Sequence, residues 1–444
     1  MRMRVLILLA VSFFFVLCGQ KKEQKGIVIS NPQALNHLRI GQQYIEQDQF
    51  DAAIGELRAA VKLDSTLAEA WDRLGFVLAM ENHLTEAVEA AQRAVKLVPN
   101  NAFYRQHLAS NYVALGKHAE AIKEYKKAIE IDENYAHAYH GLGFLYALSN
   151  DNERAIKLYK KAISLKPDEA EFHYDLGNAY SKQNKLEEAV KEYKESIKIN
   201  PRFTKAYYAL GNTYIKLGKQ HEGERELEIF KKLEAAEKEI AKRKNVVAKN
   251  PTDPAAYCYL GSAYLQQNDY SEAAKTFRNA LKIDPQYSDA LFGLGVVLLK
   301  QNQVGAALQR LKQALELGLR KPKLYHALGM AYFRKGMYDE AITAYKKALK
   351  MKPDFVSAYS GLGDAYQAQG QLEKAVANYK KALQFDSTMA LVYCKIGDIY
   401  RQQGKFEEAM EVYTKALKIT PNLGIAQWGL AQAYQGKKKT KANR

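Results

Sequence analysis

Apolar and polar positions along this chain repeat on one period. A small residue, usually flanked by aliphatic ones, marks the phase at Gly41, Gly75, Ala109, Gly143, Gly177 and Gly211, in equal steps of 34. After one step of 50 the series resumes at Gly261, Gly295, Gly329, Gly363, Gly397 and Ala431, again in steps of 34. Other positions are locked to the marks. Three residues on stands a tyrosine in most repeats, such as Tyr112, Tyr146, Tyr180, Tyr264 and Tyr366. Twelve residues on stands an alanine, such as Ala53, Ala87, Ala155, Ala273 and Ala409. Pro99, Pro167, Pro201, Pro285, Pro353 and Pro421 close repeats. Within a repeat the spacing predicts two amphipathic helices and a short turn, with Gly116 and Gly404 suited to the left-handed end of a first helix. Small marks allow the paired helices to approach closely. One pair leaves an apolar face uncovered, so neighbouring pairs must stack, and first helices then form the concave face of a superhelix.

The long step predicts a different element. Residues 224–250 contain no proline, and Ile229, Leu233, Ala236, Ile240 and Val247 form one stripe on a highly charged helix ended by Asn250-Pro251. This helix divides the array into six repeats and five. It is either a hinge or pairing helix or, the reading favoured here, an extended second helix packed on its own array. At the far end, Ile425–Tyr434 predicts one more first helix, with Gln427 and Gln432 as a solvating surface, followed by a basic tail.

The period of 34 with this placement of tyrosine, alanine, glycine and proline resembles the tetratricopeptide repeat (TPR) over about residues 34–436. The resemblance implies an all-α fold, an α-solenoid of about eleven helix-turn-helix repeats with a C-terminal capping helix. The expected organisation is an export signal at 1–17, a lipidated tether at 18–33 and six repeats over 34–235. The long helix at 224–250 overlaps the sixth repeat. Five repeats over 254–423, a capping helix at 424–436 and the tail at 437–444 follow.

Charge adds a net +17. It is spread over recurring Tyr-Lys-Lys-Ala stretches, such as Tyr159–Ala162 and Tyr379–Ala382, whose lysines are read as a solvated helix face. No basic-aromatic module of the nucleic-acid-binding kind is present, so nucleic acid is not an expected partner. Three cysteines make no disulfide framework. Cys258 and Cys394 lie four repeats apart, far beyond the roughly 7 Å that a disulfide allows between Cα atoms, and are read as free thiols. At the N-terminus, Arg2 and Arg4 precede the uncharged segment 5–17. That segment is a signal-type h-region, short of the roughly 20 residues that span a bilayer. The stretch ending Val16-Leu17-Cys18 resembles a bacterial lipoprotein signal, which implies lipidation at Cys18. Leu17 stands where such signals usually place a small residue, and a non-lipidated signal or uncleaved anchor is the alternative.

Patterns for catalysis are missing: no P-loop, no HExxH, no GxSxG, and no GxGxxG after a strand. No enzyme activity, cofactor, metal or small-molecule substrate is expected. His107, His137 and His140 form a candidate zinc cluster, read instead as solvated groove histidines. The concave face is the expected site for an extended peptide or helix of a protein partner, at Phe144, Tyr174, Asn178, Tyr208 and Asn212. Asn178 and Asn212 share one phase and offer amides to a partner's backbone, and the tyrosines offer low-entropy contact area. TPR domains that clamp a partner's terminal carboxylates place a lysine where Tyr174 and Tyr208 stand here. Those fused to sugar transferases carry a groove asparagine ladder, replaced here by Asp175, Ala209, Tyr259 and Gly293. The resemblance therefore implies an exported, lipid-anchored envelope scaffold for protein partners. The alternative is a subunit docking an enzyme of envelope polysaccharide synthesis or export.

Overall fold

The computed structural model describes residues 31–47 and 49–442, so the expectations for 1–30, including the signal and Cys18, lie outside the described residues. Among the described residues there are 23 helices and no strand. They form eleven antiparallel pairs, from Pro32–Glu46 with Phe50–Leu63 to Ala390–Gln402 with Phe406–Ile419, and a last helix, Gly424–Ala442. None is long and apolar enough to cross a membrane. The chain divides into two compact units between Glu234 and Ala235.

The phase marks set the distance between paired helices. A Cβ on Gly143 would lie 2.9 Å from the Tyr159 ring, and one on Gly363 would overlap that of Tyr379. These tyrosines stand sixteen residues after the mark, on the second helix, and are essentially fully buried. The next first helix often yields space as well: Tyr413 is confronted by Gly397 on one side and Gly429 on the other, each too close for a side chain. Each such ring is gripped between two first helices. Within each unit, first helices of successive repeats touch one another, and neighbouring second helices make no comparable contact. The first-helix row therefore lies on the tighter radius and lines the concave face.

The turn between paired helices has one solution. Seven residues after the marks from Gly75 to Gly397 the backbone enters the left-handed region, at Asn82, Gly116, Asn150, Asn184, Gly218, Asn268, Asn302, Gly336, Gly370 and Gly404. The following amide bonds back across the turn, as from His83 N to Leu78 O at 2.8 Å. This is the pattern of a Schellman end. Glycine adopts this conformation freely and asparagine tolerates it, so the two alternate at one position. Between repeats, Asp64, Asp132, Asn200, Asp284 and Asp386 accept from the amide two residues on, closing a second recurring turn.

The Tyr-Lys-Lys-Ala lysines are exposed, yet they also pack. Lys160, Lys346 and Lys380 lie over Tyr180, Tyr366 and Tyr400 of the next repeat, while Lys161, Lys347 and Lys381 lie over Tyr139, Tyr325 and Tyr359 of their own. The motif is a pair of cation–π clasps, each worth about 0.5–1 kcal/mol at such exposure. Their aliphatic stems shield the outer edges of the tyrosines, which a purely solvated reading of these lysines leaves out.

The long helix runs Gln220–Lys249. Its beginning completes the sixth repeat: Leu227 faces Gly211, and the Phe230 ring lies 5.1 Å from that of Tyr208. Its end belongs to the following unit, where Ile240 and Val247 pack on the core containing Cys258, Leu260 and Tyr264. Arg243 there donates to the Tyr259 carbonyl at 2.9 Å. The last helix, Gly424–Ala442, continues through Lys437–Lys439, where composition alone predicts a tail. Gly436 fits against the Phe406 ring and Lys437 pairs with Glu407 at 3.2 Å, which holds this stretch on the preceding helix. Cys258 and Cys394 are free and buried, and burial pushes the Cys258 thiol up to about 12.

Candidate functional site

The five groove residues named from sequence fall on three consecutive first helices: Phe144 on Ala136–Leu148, Tyr174 and Asn178 on Ala170–Lys182, Tyr208 and Asn212 on Thr204–Lys216. These helices touch in sequence order. The residues share the surface but differ in freedom. Tyr174 is partly buried, its ring edge-on to Phe203 at 5.1 Å and 6.0 Å from Tyr193. Tyr208 is 53% exposed.

Asn178 and Asn212 occupy one phase but not one role. The residue after the mark lies within reach of the buried second-helix tyrosine. Tyr193 Oη donates to Asn178 Oδ1 at 2.8 Å, as Tyr379 does to Asp364 at 2.6 Å and Tyr413 to Asp398 at 2.7 Å. Asn178 is therefore engaged in closing its own repeat. In the sixth repeat the tyrosine is replaced by Leu227, and Asn212 Nδ2 turns to the Tyr208 carbonyl of its own helix at 2.8 Å. A partner would compete there with one exposed helix-surface bond rather than with a core contact.

Titratable side chains are concentrated on the same face. His140 Nε2 and Asp175 Oδ2 lie 2.9 Å apart across two repeats, and both side chains are about 10% exposed. The His140 ring stacks on Phe172 at 4.5 Å. Beside them, burial pushes the Glu171 carboxyl up to about 7, against the opposing pull of His140 and Lys205. Burial likewise depresses His137 to about 4, and Lys166 reinforces this. Nearer the N-terminus, His107 Nδ1 meets the deeply buried Asp72 at 2.8 Å, and its ring lies 4.1 Å from that of Phe103. The three histidines thus do not converge: His107 and His140 each pair with a different aspartate, and His137 lies edge-on to Phe172 at 5.4 Å. Among the described residues no group of three or more His, Cys, Asp or Glu side chains has metal-binding geometry.

Sequence reading missed the His–Asp pairs. The available signal was a spacing of 35, one more than the period, for both Asp72–His107 and His140–Asp175. A displacement of one residue between successive first helices brings side chains together across the groove. In the second unit the same face carries Asp364, Lys395, Asp398 and Arg401, with Lys395 Nζ 2.5 Å from Asp364 Oδ1. Away from the groove in that unit, a cavity of about 280 Å³ lies between Tyr325, Tyr332, Glu340, Thr343 and Lys347.

Comparison with family models finds the same repeats. Residues 109–150, 145–184 and 397–438 match the family model described as TPR repeat, and residues 68–101 match that described as tetratricopeptide repeat. Residues 171–386 match the C-terminal domain described for cilia and flagella-associated protein 70. The peroxisomal targeting signal receptor of Candida glabrata is 34% identical over 79 residues, which are 18% of this chain and 13% of the receptor. Yeast Tom70 is similar over 92% of this chain and 96% of its own, at 14% identity and a TM-score of 0.36. The crystal structure of MamA is similar over 36% of this chain and 94% of its own, at 27% identity and a TM-score of 0.33. YrrB, titled a TPR protein with an unusual peptide-binding site, covers 42% of this chain and 95% of its own, at 20% identity and a TM-score of 0.36. The family models follow the repeats found here by period, turn and core, and the chain belongs to the tetratricopeptide-repeat family.

Proposed function

We propose that this protein is a cell-envelope scaffold, exported and lipid-anchored at Cys18, that holds protein partners on the first-helix face of its N-terminal unit. TPR arrays are protein-interaction scaffolds, and the finer reading concerns where this one binds and where it resides. The observation that carries the binding site is the contrast between tyrosines. On the two first helices concerned, those three residues after the mark are buried by the fold, Tyr180 to 9% and Tyr214 to 7%, while Tyr208 on the concave face stays 53% exposed. Packing does not require that exposure. A large amphipathic ring left open on a rigid inner surface is a typical anchor for a polypeptide. Asn212 lies one helical turn along, Lys205 stands on the same helix, and Glu171 and the His140–Asp175 pair add polar groups on the neighbouring first helices. Phe144, Tyr174 and Asn178 complete the surface and hold its shape. Scaffolding requires no catalytic step, and none is assigned.

The test is a crosslinked pull-down from envelope fractions, comparing wild type with Tyr208→Ala/Asn212→Ala. Tyr208 is exposed apart from its ring contact with Phe230, and Asn212 bonds only its own helix, so a variant shown to be folded by circular dichroism is expected to lose a specific partner. Retention of every partner by a folded variant would move the binding site elsewhere. Localisation is tested by the mass of the mature N-terminus. A lipid-modified Cys18, abolished by Cys18→Ser, is expected, and mature protein recovered with Met1 intact would overturn the envelope assignment.

A further inference from the structure

The last helix is a half-repeat, and its outer face is open. At about 3.6 residues per turn, Ile425, Trp428, Tyr434, Lys438 and Lys439 fall within about half of its circumference, opposite the buried Ala426 and Ala433. Ile425 is 56%, Trp428 57% and Tyr434 51% exposed, although Tyr434 holds the phase at which Tyr264 and Tyr366 are buried. Leu391, at the same phase of the preceding first helix as Ile425, is 56% exposed too. Basic side chains lie on this patch, of which Arg401 is also paired with Asp398 at 3.6 Å. Arg401 lies over the Trp428 ring at 5.3 Å and Lys438 over that of Tyr434 at 5.0 Å. From Gly424 to Arg444 the sequence holds four lysines and one arginine and no acidic residue. On the adjoining helix Glu407 is engaged by Lys437 and Glu411 by Lys415, while Glu408 remains an exposed acid.

We propose that this face of the C-terminal helix docks on an anionic phospholipid surface. The occupant must tolerate Trp and Tyr at a polar–apolar boundary and supply negative charge beside them. A bilayer interface with acidic headgroups does both. A second copy of the chain, joined through the same face, would set lysine against lysine. The inference rests on the C-terminal helix alone and stands apart from the lipid at Cys18 and from the groove.

The sequence has two tryptophans, so Trp71→Phe in the full chain leaves Trp428 as the sole indole reporter. It is mixed with vesicles of phosphatidylcholine alone, or of phosphatidylcholine and phosphatidylglycerol in equal parts, each also prepared with brominated acyl chains. Trp428 emission is expected to shift to the blue and to be quenched by brominated lipid only with phosphatidylglycerol present. Quenching reads the helix itself, whatever else of the chain is held at the bilayer. Lys438→Glu/Lys439→Glu should weaken this response roughly tenfold or more, and salt should weaken it further. The uncharged Lys438→Gln/Lys439→Gln variant, checked by circular dichroism, separates charge from folding and should lie between. Equal quenching in both vesicle types overturns the proposal. So does Trp428 shielding that appears with protein concentration and without lipid, which would assign the face to a second copy.

Discussion

At the scale of single residues, the fold rests on glycine facing a buried tyrosine. Gly363→Ala would set a methyl group well inside contact distance of the fully buried Tyr379 ring, which has nowhere to go. We expect a loss of about 1–3 kcal/mol in urea unfolding. Gly55→Ala, on a helix surface with open space around it, should instead stabilise by about 0.5–1 kcal/mol. Equal effects from the two would contradict the packing described here. Glu171 gives a second expectation. Its folded-state pKa of about 7 lies above the ordinary value of 4.5, so its contribution to stability is full below 4.5 and is lost as pH rises through 7. Glu171→Gln removes that loss. The variant should gain on wild type progressively across this window, by about 1–3 kcal/mol at the top. Parallel stability curves from pH 4 to 8 would refute it. The glycine marks were legible in the sequence because steric need repeats with the period. The Tyr193–Asn178 bond and the His140–Asp175 pair were not, because phase gives a residue's face but not which neighbour its polar atoms reach.

At the scale of elements, the turn within each repeat was half legible. Glycine advertised it at Gly116 and Gly404, while asparagine did the same work at Asn82, Asn150, Asn184, Asn268 and Asn302 without drawing notice. Asn150→Ala should therefore cost about 1 kcal/mol and Asn150→Gly little, measured by thermal unfolding. A neutral alanine would mean that the left-handed turn is not required. The long helix was legible from its missing proline and its stripe. That it serves one unit with Phe230 and the next with Ile240 and Val247 was not, since a stripe does not name the surface it meets. The C-terminal helix outran its sequence reading for a related reason. Lysines are good helix formers, and the contacts of Gly436 and Lys437 with Phe406 and Glu407 are tertiary.

At the scale of the whole molecule, the chain is a series of near-identical units, and stability of such arrays is close to a sum over repeats and their interfaces. Function has to lie where the repeats differ. The tyrosine lost at Leu227 leaves Asn212 free of the core, and Tyr208 beside it is open. Partners are therefore expected to bind on this inner face. The most direct test places a photo-crosslinking amino acid at Asn212 and, separately, at the outward-facing Lys161, in cells that make the protein. A partner crosslinked from position 212 and not from 161 is expected. The same partner captured from 161 and not from 212 would contradict it.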